Sequence, residues 1–187
     1  GCSMDSRLTY ASMFVIALAT LSFEITLSRL LSVVTWYHLG FFAISVAMLG
    51  MTAGAITVFL WKRNLTLDQI SNRIKLACVG FGITVPLSVV GVCYLKFNVG
   101  DVLLHPLRAF ATFLLNTSLI SLPFYFSGIA ISAFLARSPL PVNRLYAADL
   151  IGASIGCIVV LVGLSIMDTP SFGIFSGLIG FLPAILL

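Results

Sequence analysis

Six long apolar segments constrain this chain more than any other feature of its sequence. A helix needs about 17–25 mostly apolar residues to cross the hydrocarbon of a bilayer, and each segment is of that order or longer. Backbone groups inside lipid must bond within the protein, and these Gly-, Ala- and Leu-rich segments show no strict alternation, which favours helices. We expect membrane spans at about 8–31, 37–61, 76–95, 107–136, 145–167 and 171–187.

The composition excludes a soluble domain. Of 187 residues, 60% are hydrophobic and only 9% are charged, whereas a soluble domain has about 25% charged residues. The mean hydropathy of +1.15 agrees. No basic face with interleaved aromatic residues is present, so nucleic acid is not an expected partner. The sequence therefore predicts an all-α, polytopic transmembrane bundle of about six helices in contact with lipid.

The basic residues predict the orientation of this bundle. Cytoplasmic loops of membrane proteins carry an excess of Lys and Arg. With six spans and a cytoplasmic N-terminus, seven of the ten basic residues fall on the cytoplasmic side, and the alternate loops are much poorer in them. The seven are Arg7, Lys62, Arg63, Arg73, Lys75, Arg137 and Arg144. We expect a multi-pass protein of the bacterial inner membrane.

The two ends of the chain suggest a domain organisation. Residues 1–6 form an N-terminal tail, and its first residues, GCSM, are typical of a cloning remnant ahead of a start at Met4. The transmembrane domain then occupies 7–187. Because the last segment is still apolar at Leu187, we expect that the chain is truncated before a cytosolic domain.

Two connecting features are less specific. LTLDQISNRIKL, at 65–76, is amphipathic, so it fits a short helix on the inner membrane surface or a solvated loop helix. Pro123 lies within the fourth segment, where a proline kinks a helix and frees a carbonyl.

The first segment carries ionisable residues that are costly in lipid. Glu24 and Arg29 lie five positions apart, about 140° around a helix, so they do not stack as an i,i+4 pair. The charge of Glu24 must then be compensated by a residue of another helix, by water or by protonation. We expect Glu24 to join an interhelical polar cluster with Arg29 and His38. Intramembrane ionisable residues suggest function by default, although such a residue could instead only tie helices together.

The fifth segment repeats the theme in RLYAADLIGASIG. It has Arg144 at the inner membrane boundary and Asp149 a little over one turn further in, which predicts a second cluster. Small residues recur every four positions in this segment and in the second, a spacing that lets helices approach closely. They are Ala148, Gly152 and Gly156, and Gly50 and Gly54. Asp149 lies beside the first stripe and is expected to face the bundle.

The cysteine and histidine residues do not indicate a cofactor. Cys78, Cys93 and Cys157 have no CxxC spacing and are best interpreted as small apolar side chains. His38 and His105, near outer helix ends, are typical of hydrogen-bonded interfacial residues rather than metal ligands. We predict no metal and no cofactor within this chain.

Two stretches resemble the membrane domain of the integral-membrane spermidine synthase-like family. FEITLSRLLSVVTWYHLGFFAISVAMLGMTAGA resembles its first two helices, with an acidic residue and an arginine spaced E-x-x-x-x-R and then a Tyr-His pair. LPFYFSGIAISAFLA and NRLYAADLIGASIGC resemble its Pro-Phe-Phe-x-x-Gly helix and its R-x-Y-x-x-D-L-x-G-A-x-x-G segment. The matches cover about Leu21–Gly54 and Leu122–Cys157. The residues that match the motifs are Glu24, Arg29, His38, Arg144, Tyr146 and Asp149.

This resemblance implies a helical domain followed by a cytosolic aminopropyltransferase-like Rossmann domain. Soluble enzymes of that type move an aminopropyl group from decarboxylated S-adenosylmethionine to putrescine. No strand with a Gly-rich turn occurs here, and GFGITV, at 80–85, lies inside an apolar span. No catalytic residue is therefore assigned, and an S-adenosyl-type substrate is expected only if a Rossmann domain follows.

Three functions remain open at this point. The chain could be a module that anchors such a domain and handles a cationic or amphiphilic substrate at Glu24 and Asp149. It could be a structural or accessory subunit of a larger complex, with its sixth helix docked on a partner. A small-solute transporter is a weaker alternative, because no paired broken helices are evident.

Overall fold

Six helices make up the described part of the chain, which in this computed structural model comprises residues 6–34, 39–61, 66–94 and 106–187. Within these ranges no strand occurs. All six helices are long and apolar enough to cross a membrane. The predicted all-α, multi-pass membrane architecture is therefore confirmed. The helices are α1 (Ser6–Val34), α2 (Leu39–Phe59), α3 (Leu67–Tyr94), α4 (Pro106–Arg137), α5 (Val142–Ile166) and α6 (Thr169–Leu186).

The start of α3 differs from the expectation of a separate surface helix at 65–76. One helix runs without interruption from Leu67 to Tyr94. Its first turn is closed by a capping box: the Gln69 amide donates to Thr66 Oγ1 at 3.4 Å, and the Thr66 amide donates to Gln69 Oε1 at 3.2 Å. The polar residues at 67–76 thus form the first turns of a membrane helix. They differ from the rest of that helix only in being less hydrophobic.

Helix α1 is the centre of the bundle. It packs against each of the other five helices, and 61% of its apolar window is buried inside the protein, the largest share of the six. Around it α2 packs on α4, α4 on α3, and α3 on α6. Helix α5 is held mainly by α1 and is the least buried, at 17%.

Successive helices alternate in direction. Gly152 and Gly156 of α5 meet the backbone of Phe14 and Leu18 of α1 in the same order, so these two helices are parallel. Glycine contacts fix the other neighbouring pairs in the same way: α2 runs parallel to α4, α3 antiparallel to α4 and to α6, and α6 antiparallel to α1. The starts of α1, α3 and α5 and the ends of α2, α4 and α6 therefore share one end, which we call the N-terminal end of the bundle.

Three phenylalanine rings fill the centre where α1, α3 and α4 meet. Phe23, Phe81 and Phe124 are all fully buried. The Phe23 ring lies 5.4 Å from that of Phe124 and 6.4 Å, edge to face, from that of Phe81, which are distances typical of attractive aromatic pairs.

Glycine residues allow the closest helix contacts, as their spacing predicts. A Cβ added to Gly50 would lie 2.7 Å from the Ser121 carbonyl oxygen, and one added to Gly54 would collide with the carbonyl oxygen of Tyr125. Opposite them, Gly128 of α4 leaves the same kind of space for the backbone of Met51. Helices α2 and α4 therefore meet backbone to backbone.

Pro123 lies inside α4, and the carbonyl it leaves without a helical partner is bonded by another helix. Proline has no amide hydrogen, so the Leu119 carbonyl, four residues earlier, loses its intrahelical donor. The hydroxyl of buried Ser88 lies 3.0 Å from this oxygen and 2.8 Å from the Thr84 carbonyl of its own helix. The freed carbonyl becomes a link between α3 and α4.

Replacement of Gly54 by alanine should destabilise the α2–α4 contact. The added Cβ meets only backbone atoms of Tyr125, Gly128 and Ile129, which cannot rotate away. We expect a loss of about 1–3 kcal/mol in the free energy of unfolding, the usual cost of overpacking, measured by denaturant titration in detergent. Gly91→Ala is the control, because its Cβ would meet only the movable side chain of Leu119. Equal losses in both variants would contradict backbone contact as the cause.

Replacement of Ser88 by alanine should cost about 1 kcal/mol of unfolding free energy, since the partly buried Leu119 carbonyl loses its donor. The control is Ser118→Ala, which removes a hydroxyl bonded within its own helix on an exposed face. A double-mutant cycle with Pro123→Ala isolates the link, because alanine restores the amide that bonds Leu119. The assignment is wrong if Ser88→Ala costs the same with Pro123 and with Ala at position 123.

Candidate functional site

Two carboxylates lie in the apolar parts of the membrane helices, Glu24 on α1 and Asp149 on α5, whereas Asp68 lies in the first turn of α3. Both are half-buried. Neither forms a hydrogen bond or an ion pair with another residue in the described ranges. A charge in such a position is costly unless it is compensated, and the described residues provide no compensating partner for either carboxylate.

Asp149 sits next to the closest contact between two helices. It lies on the same side of α5 as Leu145, four residues before it, and Gly152, three residues after it, and both of these are buried. Gly152 packs directly on the backbone of Phe14. Asp149 is thus one turn nearer the N-terminal end than this contact.

Glu24 sits at the edge of the buried face of α1. Thr20 and Leu27, which flank it on the same side of the helix, are buried, and so is the adjacent Phe23 at the centre of the aromatic core. Glu24 lies beyond the middle of α1, toward the end opposite Ser6. It is therefore close to the core and at the boundary with the bundle surface.

The two carboxylates form separate sites. Because Gly152 is level with Phe14, Asp149 is level with about residue 11 of α1. Glu24 is then 13 positions further along, which at 1.5 Å per residue is about 20 Å. The two carboxylates are therefore too far apart to share one small ligand group.

Neither Arg29 nor Arg144 is paired with these carboxylates. Arg29, Arg144 and Tyr146 are exposed, and the structure shows no ion pair between Arg29 and Glu24 or between Arg144 and Asp149. His38, proposed as a partner of Glu24, lies outside the described residues, as does His105. The structure therefore gives the positions of both carboxylates, and among the described residues it joins neither Arg29 nor Arg144 to them.

A basic cluster that the motifs do not single out lies at the N-terminal end. Nη2 of Arg137, at the end of α4, donates to the carbonyl oxygens of Trp61 at 3.1 Å and of Val58 at 3.4 Å. Val58 lies in the last turn of α2, where its carbonyl also accepts a hydrogen bond from the Trp61 amide at 3.2 Å. Trp61 follows the end of the helix, a place where backbone carbonyls often lack intrahelical donors. The guanidinium of Arg73 lies 4.7 Å from the centre of the Trp61 ring, a cation–π contact. We call Trp61, Arg73 and Arg137 the Trp61 cluster.

A second polar contact missed by sequence reasoning joins α2 and α4. The hydroxyls of Thr57 and Tyr125 lie 3.0 Å apart, and Thr57 is also bonded to the Ala53 carbonyl at 2.9 Å. Tyr125 belongs to the motif LPFYFSG, but nothing in the sequence pairs it with a residue 68 positions earlier.

Metal chemistry finds no support in the described part of the chain. There, no three His, Cys, Asp or Glu side chains lie close enough to hold a metal ion. Cys78 is buried, Cys93 half-buried and Cys157 exposed, and all three are free thiols.

Comparison of the chain with protein-family models, with curated proteins and with solved structures finds no match.

Removal of the charge from either carboxylate should leave the protein as stable as before. Glu24→Gln and Asp149→Asn keep the shape of the side chain and break no bond that the structure shows, so we expect changes within about 0.5 kcal/mol. Arg137→Gln is the positive control, because it removes two hydrogen bonds to the end of α2. Unfolding free energies in detergent provide the measurement. A loss above about 1.5 kcal/mol in both carboxylate variants, the value of a charged hydrogen bond, would show that these groups tie helices together.

Proposed function

We propose that this chain is the membrane domain of a spermidine synthase-like protein and that Glu24 and Asp149 receive a cationic or amphiphilic substrate. Two supports are independent of each other. The motifs around both residues resemble that family, and the geometry leaves both carboxylates without a cation among the described residues.

The absence of a partner for either carboxylate among the described residues is the observation that carries the proposal. If Glu24 and Asp149 served only to hold helices together, each would need a donor on a neighbouring helix, and the described residues supply none. A polyamine carries the ammonium groups that would complete such sites. Because both side chains are half-buried rather than enclosed, a ligand could reach them from the bundle surface or from the space between helices.

The positions of the carboxylates suggest two binding stations rather than one. In the orientation predicted from the basic residues, the N-terminal end faces the cytoplasm of a bacterium. Asp149 is then near the cytoplasmic boundary and Glu24 beyond the midplane. Helix α6 ends at the cytoplasmic side in this orientation, so an aminopropyltransferase-like domain after Leu187 would lie on the same side as Asp149. Any S-adenosyl-type substrate would belong to that domain.

Thermal-shift titration of the purified protein in detergent tests the proposal. We expect spermidine and putrescine to raise the unfolding temperature, because a ligand at about 100 times its dissociation constant adds about 2.7 kcal/mol. Butane-1,4-diol, which has the length of putrescine without its charges, should give no shift.

Variants identify the sites. Glu24→Gln and Asp149→Asn should each weaken or abolish the polyamine shift, whereas Asp68→Asn, which removes an exposed carboxylate in the first turn of α3, should not. An absent shift with every polyamine, together with lower stability of both carboxylate variants, would contradict the proposal and favour a scaffold subunit of a larger membrane assembly.

A further inference from the structure

A groove between α2 and α4 opens next to the Trp61 cluster. Its volume is about 510 Å³. Six of its seven lining residues carry no charge, and the seventh is Arg137. The lining residues are Ala55, Val58, Phe59, Ser132, Leu135, Ala136 and Arg137.

The Arg137 guanidinium has N–H donors that no described residue accepts from. Only its Nη2 is bonded, to the two carbonyls at the end of α2, and no described residue accepts a hydrogen bond from Nε or Nη1. The fork of a guanidinium matches two oxygens of a phosphate. The bonds to α2 hold this fork in place, so it is preorganised for an anion.

A second cation lies nearby. Arg73 is exposed, and its stacking on Trp61 holds it beside the residue whose carbonyl bonds Arg137. Trp61 itself is half-buried at the end of α2, and tryptophan is enriched at the headgroup level of membranes. An apolar groove therefore leads to two positive charges at the depth where lipid phosphates lie.

We propose that this groove is a binding site for one anionic phospholipid of the leaflet at the N-terminal end. An acyl chain would lie along Ala55, Phe59 and Ala136, and the phosphate would bond Arg137, with Arg73 adding charge. Basic pockets between transmembrane helices are known to hold anionic headgroups. The site is separate from Glu24 and Asp149 and independent of the function proposed for them.

The test compares lipids on the purified protein in detergent. Phosphatidylglycerol should raise the unfolding temperature in a saturable way, whereas phosphatidylcholine, whose headgroup has no net charge, should raise it far less. Glycerol 3-phosphate has the anionic group without acyl chains and should give no shift. Equal shifts with both lipids, or a shift with glycerol 3-phosphate alone, would overturn the proposal.

Variants separate the groove from general surface charge. Ala136→Trp fills the groove and leaves Arg137 bonded to α2, while Arg73→Gln and Arg137→Gln remove the charges. Each should raise the phosphatidylglycerol concentration at half-effect by about fivefold or more, the loss of roughly one favourable contact. Arg7→Gln removes an exposed cation at the same end of the bundle, outside the groove, and should change it less than about twofold.

Ala136→Trp decides the outcome if Arg137→Gln does not fold. Wild-type phosphatidylglycerol binding by Ala136→Trp, or an equal loss in Arg7→Gln and Arg73→Gln, would show that the lipid effect is one of general surface charge.

Discussion

Close contact between helix backbones is the constraint on which this bundle depends. Lipid is as apolar as the side chains of the helices, so burial of apolar surface drives association much less than in water. Contact must come from dispersion between closely packed atoms and from hydrogen bonds between helices. Gly50 and Gly54 bring α2 onto α4, and Gly152 and Gly156 bring α5 onto α1. The direction of every helix and the depth of every polar residue follow from these contacts.

Sequence reasoning predicted the parts of the fold that depend on local pattern. Six apolar segments were enough for the number of helices, and the glycine spacing indicated the sides of α2 and α5 that make close contacts, although not the helices that they contact. The start of α3 at Leu67 was not, because a hydropathy threshold places the boundary where the chain becomes apolar, while the helix begins at the capping box of Thr66 and Gln69. A hydrogen-bonding signal was present and was outweighed by composition.

Interactions between distant residues could not be predicted in this way. Pro123 indicated a freed carbonyl, but only the packing of α3 on α4 shows that Ser88 bonds it. For the candidate site, the cost of a charge in lipid singled out Glu24 and Asp149. Whether they have partners among the described residues depends on how the helices pack around one another, which local sequence pattern does not determine. From the sequence, Arg137 is only one of the basic residues that predict orientation. Its bonds to the Val58 and Trp61 carbonyls join residues 79 and 76 positions apart, which no local pattern predicts.

The central position of α1 has a consequence for biosynthesis. Ser22 bonds the Gly156 carbonyl across 134 positions, and at about 5–20 residues per second the ribosome needs roughly 7–27 seconds to make that interval. Throughout that time the surface of α1 that will meet α5 and α6 is already in the membrane and lacks its final neighbours. The hydroxyls of Thr20 and Thr26 on that surface donate to carbonyls of their own helix. These polar groups are therefore satisfied within α1 before the later helices arrive. Of the six helices, the first to be made is thus among the last to be enclosed.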